Sequence, residues 1–151
     1  ASMIEAFRAQ KGDYIHLQGP IPQQLEYERC GYIVTAVGPA IGSCAFSSLA
    51  STPSWLKTDT AIAFTRAYKR ARLWLLSTAS ESVAKTLKDF FPDTHMEVLA
   101  STIDYYQKLG NWTPELEISR NSYERALDVF EYSGQISKRP TYEAVVALPP
   151  V

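Results

Sequence analysis

Along this chain the spacing of apolar positions changes from that of strands to that of helices. From Asp13 to Gln18 the residues alternate, with Tyr14, His16 and Gln18 on one side and Ile15 and Leu17 on the other. That period predicts a strand, which Gly19-Pro20 ends. Tyr32 to Val37 is β-branched and apolar through its centre, as in a strand buried on both faces of a parallel sheet. Ile4 and Phe7 share one face of a first helix, closed by Lys11-Gly12. Pro22 opens a second helix running to about Arg29, because proline as first helical residue loses only an N–H without an intrahelical partner. The opening therefore reads helix, strand, helix, strand. Gly38-Pro39-Ala40-Ile41-Gly42 is the strongest linker signal in the chain, and predicts a crossing between domains. Cys44 to Ala50 reads as one more strand.

From Pro53 onward helices take over. Phe64, Ala67, Tyr68, Ala71 and Leu75 recur at intervals of three and four within a helix of about Asp59 to Ser77, while Arg66, Lys69, Arg70 and Arg72 fill its other side. Ser80 is placed to cap the next helix, with Val83, Leu87, Phe90 and Phe91 as its apolar stripe and Pro92 as its stop. Thr94-His95-Met96-Glu97 has capping-box spacing ahead of a helix that buries Met96, Leu99, Ile103 and Tyr106 and ends at Gly110. Ser119 caps a last long helix with Tyr123, Leu127 and Phe130 inward and Gly134 as its stop.

Composition narrows the function classes. At 151 residues and 46% hydrophobic, the chain can bury roughly two-thirds of its unfolded surface without a metal or disulfide staple. Lys+Arg 15 against Asp+Glu 16 gives a net charge of −1, without the basic field that nucleic acid requires. The strongest apolar run, Leu73 to Leu76, is far short of the ~20 residues that span a bilayer, and no signal peptide opens the sequence. Cys30 and Cys44 lack the paired spacing of a zinc or redox site and read as two small buried thiols, with a disulfide as the other option. His16 and His95 give no sign of sharing a ligand. The sequence therefore predicts no metal and no cofactor.

Catalytic signals are equally thin. Ser43, Ser47, Ser48 and Ser51 stand outside any G-x-S-x-G elbow, Glu115 and Glu117 follow Pro114 in a polar connection, and no phosphate-binding glycine motif occurs. The basic side of the Asp59 to Ser77 helix reads as a solvated face. What remains is Gln18-Gly19-Pro20, at the C-terminal end of an expected strand and just before a helix N-terminus. Ligands of open α/β sheets gather at such an edge. Gln18 and Gly19, with Gln23 reaching in from the next helix, are thus the candidate ligand-binding residues, since an amide both donates and accepts and a glycine lets a ligand approach the backbone. The same triplet also reads as a plain tight turn.

Three stretches carry a resemblance. Glu5 to Tyr14 (Glu5-Ala6-Phe7-Arg8-Ala9-Gln10-Lys11-Gly12-Asp13-Tyr14) forms a helix-turn-strand; Ala40-Ile41-Gly42 precedes the Phe46 to Ala50 segment. The end holds Leu109-Gly110-Asn111-Trp112-Thr113-Pro114, Ile118 to Glu124, Ser133-Gly134-Gln135-Ile136 and Lys138-Arg139-Pro140. Together they resemble the C-terminal part of ABC-importer solute-binding proteins of the nitrate/sulfonate/thiamine-pyrimidine group called NMT1/THI5-like.

The resemblance implies an α/β chain, the C-terminal portion of a periplasmic-binding-protein-like (type II) fold with a helix-rich second part. Residues 1–40 would belong to lobe two, and residues 41–151 would return to lobe one. It implies a non-enzyme that holds a small polar or anionic molecule between two lobes, a membrane permease as partner, and a periplasmic or lipid-anchored extracellular location. A complete member has roughly twice as many residues, two lobes of ordinary domain size. The chain therefore reads as a fragment lacking the N-terminal half, with open strand edges that favour self-association. Thiamine-pyrimidine synthases share the fold but carry a cysteine-rich motif, which this sequence lacks. A helical interaction module over residues 53–135 is the remaining alternative.

Overall fold

The computed structural model describes residues 2–150, and more than half of them are helical. Helices α1 (Met3–Arg8), α2 (Ile21–Tyr27) and α3 (Gly38–Ile41) are short, α4 (Asp59–Ser77) is the longest, and α5 (Ser80–Leu87), α6 (Met96–Lys108), α7 (Arg120–Tyr132) and α8 (Tyr142–Val145) follow. Single 3₁₀ turns lie at Trp55–Lys57 and Lys88–Phe90.

Local chemistry explains the helix ends. Ser2 Oγ accepts the Glu5 N–H while the Glu5 carboxylate accepts the Ser2 N–H, a capping box that starts α1. Thr58 Oγ1 accepts the Ala61 N–H at 3.2 Å, satisfying one free donor at the start of α4. Ser119 Oγ accepts the Ser122 N–H at 3.1 Å ahead of α7, and Gly134, at φ 72°, closes that helix as its position predicts.

Other expectations need correction. Among the described residues there are no strands, so the α/β sheet is absent; the helices concentrate from Asp59 onward, and the earlier part is mostly irregular. Residues 14–18, 32–37 and 46–50 carry no regular ladder. The alternation survives in exposure, with Ile15 and Leu17 half-buried and Tyr14, His16 and Gln18 exposed. A period of two extends the backbone, but a strand exists only where a second chain segment takes up its N–H and C=O groups. The Gly38–Gly42 stretch, expected as an irregular break, holds the single turn α3 with Pro39 near its start and Gly42, at φ 85°, at its end.

Boundaries differ in detail. Pro22 is the second residue of α2, not the first. Ala79 rather than Ser80 is the N-cap of α5, and His95 occupies the N-cap of α6, one residue past Thr94, so the expected capping box does not form. On α4 the buried residues are Ala61 and Thr65, while Phe64 and Tyr68 are exposed and stack on each other at 6.2 Å between ring centroids. Met96, Phe90 and Phe91 are exposed as well. Cys30 is exposed and Cys44 half-buried, and both are free thiols.

The described residues form two compact units, one of residues 2–35 and 78–111 and the other of residues 36–77 and 112–150. In the first, α5 and α2 both pack on α6. Its buried apolar residues are Leu25, Val83, Ala84, Val98, Leu99 and Ile103, each large member contributing about 1.5–3 kcal/mol by leaving water. The second buries Ala61, Thr65, Tyr123, Ala126 and Leu127. There Tyr123 donates its hydroxyl to the Pro140 carbonyl at 2.9 Å, and its ring meets that of Tyr142 edge-on. Arg139 gathers Asp128 and Glu131 at 2.8 and 2.6 Å, with Glu124 at 3.5 Å. The hydrogen bonds that Arg139 donates to Glu131 and Asp128 hold its guanidinium above its ordinary value.

Candidate functional site

The unit of residues 2–35 and 78–111 contains a cavity of about 230 Å³. Two helices and one extended segment build it. On α2, Gln23 and Glu26 are three residues apart and share a face; on α6, Ser101, Asp104 and Tyr105 stand at i, i+3 and i+4. Packing of α2 on α6 brings these polar rows together, and Ile33, Val34 and Thr35 form the remaining wall. The wall is tied to α2 by the Ile33 N–H, which donates to Glu26 Oε1 at 3.3 Å.

Gln23 is the unusual member. It is 4% exposed, and its Oε1 is buried with no hydrogen-bond partner among the described residues. A buried amide without a partner costs about 1–3 kcal/mol, so such a group stands out wherever it occurs. The other polar groups of the wall also keep capacity: Ser101 and Tyr105 make no side-chain hydrogen bond among the described residues, and Glu26 has a second carboxylate oxygen without a partner. Asp104 Oδ2 accepts from Lys108 Nζ at 2.7 Å one helical turn on, at the surface.

Of the residues singled out in the sequence, Gln23 lines this cavity, whereas Gln18 and Gly19 are outside its lining. Gln18 is exposed, and its carbonyl accepts the Ile21 N–H at 3.2 Å, closing a turn around Gly19-Pro20. The Gly19 N–H donates to Tyr106 Oη at 2.8 Å. A Cβ added at Gly19 would meet Tyr106 Oη at 2.8 Å and Thr102 Cγ2 at 2.9 Å, so α6 itself occupies the space beside this glycine. Glu26, Ser101, Asp104 and Tyr105 were not singled out. For Ser101, Asp104 and Tyr105 the signal is a second stripe of α6 at helical spacing, beside its apolar stripe; Glu26 shares a face of α2 with Gln23.

Other candidates have internal uses. Lys88 Nζ donates to the carbonyls of Phe91, Pro92 and Thr94 at 3.2, 2.9 and 2.8 Å, which fills its three donors and fixes the connection to α6. Ser43 Oγ, Ser122 Oγ and Ser119 Oγ form a hydroxyl chain with steps of 2.7 and 2.9 Å at the cap of α7. On α4, Arg66, Lys69 and Arg70 are exposed, while Arg72 donates to Thr113 Oγ1 at 3.3 Å and lies over the Tyr68 ring. His95 packs against Tyr27, with ring centroids 5.0 Å apart. The Glu28 carboxyl is held below its ordinary value by the Gln24 amide and by Arg8, and Glu143 by Arg120. Among the described residues no group of side chains suits a metal ion, and no helix is long and apolar enough to cross a membrane.

No family model matches the chain, and no solved structure matches it. Among curated proteins it is similar to the "Putative binding protein YtlA" of Bacillus subtilis (strain 168), with 27% identity over 148 residues. That alignment takes in 97% of this chain but 44% of the relative, so the chain spans less than half of the relative's length. The relative is named for binding, not for a reaction.

Proposed function

We propose that this chain is part of a solute-binding protein and that the cavity beside Gln23 is where it contacts a small polar molecule. The observation that carries the reading is the buried Gln23 Oε1, without a partner, on a side chain that lines a cavity. Binding sites join a largely apolar wall to a few convergent polar groups. Here Ile33 and Val34 supply the first, and Gln23, Glu26 and Tyr105 the second. Recognition is by hydrogen bonds, with no bond made or broken. The similarity to a protein named for binding supports a non-enzyme.

The finer parts of the reading rest on the resemblance. They are the C-terminal portion of a type II binding-protein fold, an ABC importer with its membrane permease, and a periplasmic or lipid-anchored location. Residues 1–40 then belong to lobe two and residues 41–151 return to lobe one. The unit boundary between Thr35 and Ala36 supports a change of lobe near residue 40, while the grouping of 78–111 with 2–35 departs from an uninterrupted return to lobe one. Gln18 and Gly19 enter this reading as neighbours of the cleft. Tyr14, Tyr32 and Val34, exposed at 82%, 87% and 71% on extended backbone, favour self-association of the isolated chain, which sedimentation velocity measures.

The test is a thermal-shift screen of the chain against small polar amines, amides, alcohols and organic anions, repeated on Gln23→Met. A compound present at 100 times its Kd adds about 2.7 kcal/mol to stability. For a chain of this size that is a rise in Tm of roughly 5–11 °C. The expected result is a compound that stabilises the wild type and not Gln23→Met. Equal stabilisation of both proteins, or of neither by any compound, contradicts the proposal.

A further inference from the structure

The charged groups lining the cavity are both carboxylates, beside the hydroxyls of Thr35, Ser101 and Tyr105 and the Gln23 amide, which donate as well as accept. Glu26 is a carboxylate with one oxygen committed to the Ile33 N–H and the other without a partner. Asp104 is a carboxylate with one oxygen on Lys108. The buried Oε1 of Gln23 is an acceptor without a donor. No Lys, Arg or His lines the cavity; Lys108 touches it only through Asp104, from a side chain 74% exposed. An anion entering here would meet two carboxylates and no cation, whereas a cationic donor would find two carboxylates, Glu26 with an oxygen free to accept. We infer that this site, on the reading given above, takes a small organic cation: a protonated amine or amidine carried on a compact apolar body.

Size limits the body. The site is a recess of about 230 Å³ that opens to solvent past Val34, 71% exposed, so it suits a compact body with a short polar arm. Ile33 and Val34 form the apolar side, and Tyr105 presents an aromatic ring to the same space. The charged end belongs toward Glu26 and Asp104, where hydrogen bonds to ionised groups are about twice as strong as neutral ones. Lys108 competes for Asp104 and moderates the site.

The test uses three near-isosteric probes, benzylammonium chloride, benzyl alcohol and sodium benzoate, titrated at constant ionic strength into the ¹⁵N-labelled chain. The readouts are the Gln23 side-chain amide and the Ile33 backbone amide. The expected result is saturable shifts with benzylammonium, at a Kd about tenfold or more below that of either other probe. Glu26→Gln should weaken benzylammonium by a similar factor. Lys108→Met, which keeps the stem and frees Asp104, should strengthen it. Both positions are at the surface, and unchanged resonances elsewhere verify that the variants fold. Benzoate or benzyl alcohol binding as tightly as benzylammonium, or a Glu26→Gln variant with unaltered affinity, overturns the cation assignment while leaving the cavity as a binding site. Silence of the Gln23 and Ile33 resonances toward all three probes overturns the assignment and the site together.

Discussion

Replacing Gly19 by alanine separates a glycine needed for packing from one needed for a ligand. Its added Cβ falls 2.8 Å from Tyr106 Oη and 2.9 Å from Thr102 Cγ2, closer than real Cβ contacts come, and 3.1 Å from Tyr106 Cζ, which is tight. Thr102 cannot turn aside cheaply, because it is buried and its Oγ1 donates to the Val98 carbonyl at 2.8 Å. If Tyr106 moves instead, the Gly19 N–H loses its acceptor. Overpacking of this kind costs about 1–3 kcal/mol, and a lost hydrogen bond about 0.5–1.5 kcal/mol. Against this, alanine restricts the unfolded chain and returns about 0.4–1 kcal/mol. The net expectation is destabilisation by about 1–3 kcal/mol, a fall in Tm of roughly 2–12 °C for a chain of this length. Calorimetry measures the fall. Thr102→Ser supplies the control, because it removes Cγ2 and keeps the hydroxyl. In the Gly19→Ala background it should recover part of the loss, a coupling of at least about 0.5 kcal/mol in a double-mutant cycle. A neutral or stabilising Gly19→Ala, or strict additivity with Thr102→Ser, refutes the packing account.

Further outcomes follow from the same contacts. Gln23→Met removes a buried acceptor without a partner, so the unliganded chain should gain stability, by up to about 1–3 kcal/mol, while losing its response to ligand; urea unfolding checks the first half. Ser119→Ala removes the cap of α7 and one link of the Ser43–Ser122–Ser119 chain, and should cost about 1 kcal/mol in the same assay. Glu28 has a depressed carboxyl value in the folded chain, so its stabilising contribution is present above the ordinary glutamate range and is lost as pH falls through the folded value. Glu28→Gln should therefore flatten the acid limb of a stability–pH curve by lowering stability in the neutral region while leaving the acid end little changed. Arg139→Met should lower Tm slightly at low salt and less at high salt, because its three carboxylate partners are all exposed.

What could be read from the sequence was what is local. Helix α4 occupies Asp59–Ser77 as its period predicts, and α7 starts at the Ser119 cap and stops at Gly134, because caps and left-handed stops are decided by a few neighbouring residues. The extended stretches were legible as alternation but not as strands, since pairing depends on residues far away along the chain. The face α4 buries is not legible in its spacing for a related reason. Phe64 and Tyr68 satisfy helical spacing, yet the elements that pack on the helix select Ala61 and Thr65. At the site, Gln23 was visible because it followed a turn signal. Its companions on α6 were not, because only the packing of α2 on α6 brings Ser101, Asp104 and Tyr105 opposite Gln23 and Glu26.

The most direct measurement of ligand binding beside Gln23 is amide hydrogen exchange, followed by mass spectrometry, with and without the best stabilising compound from the screen. Bound ligand should slow exchange in peptides covering residues 23–35 and 101–105 of the wild type, leave the rest little changed, and have no such effect on Gln23→Met. Protection centred on other peptides, or the same protection in Gln23→Met, would contradict the assignment of this cavity.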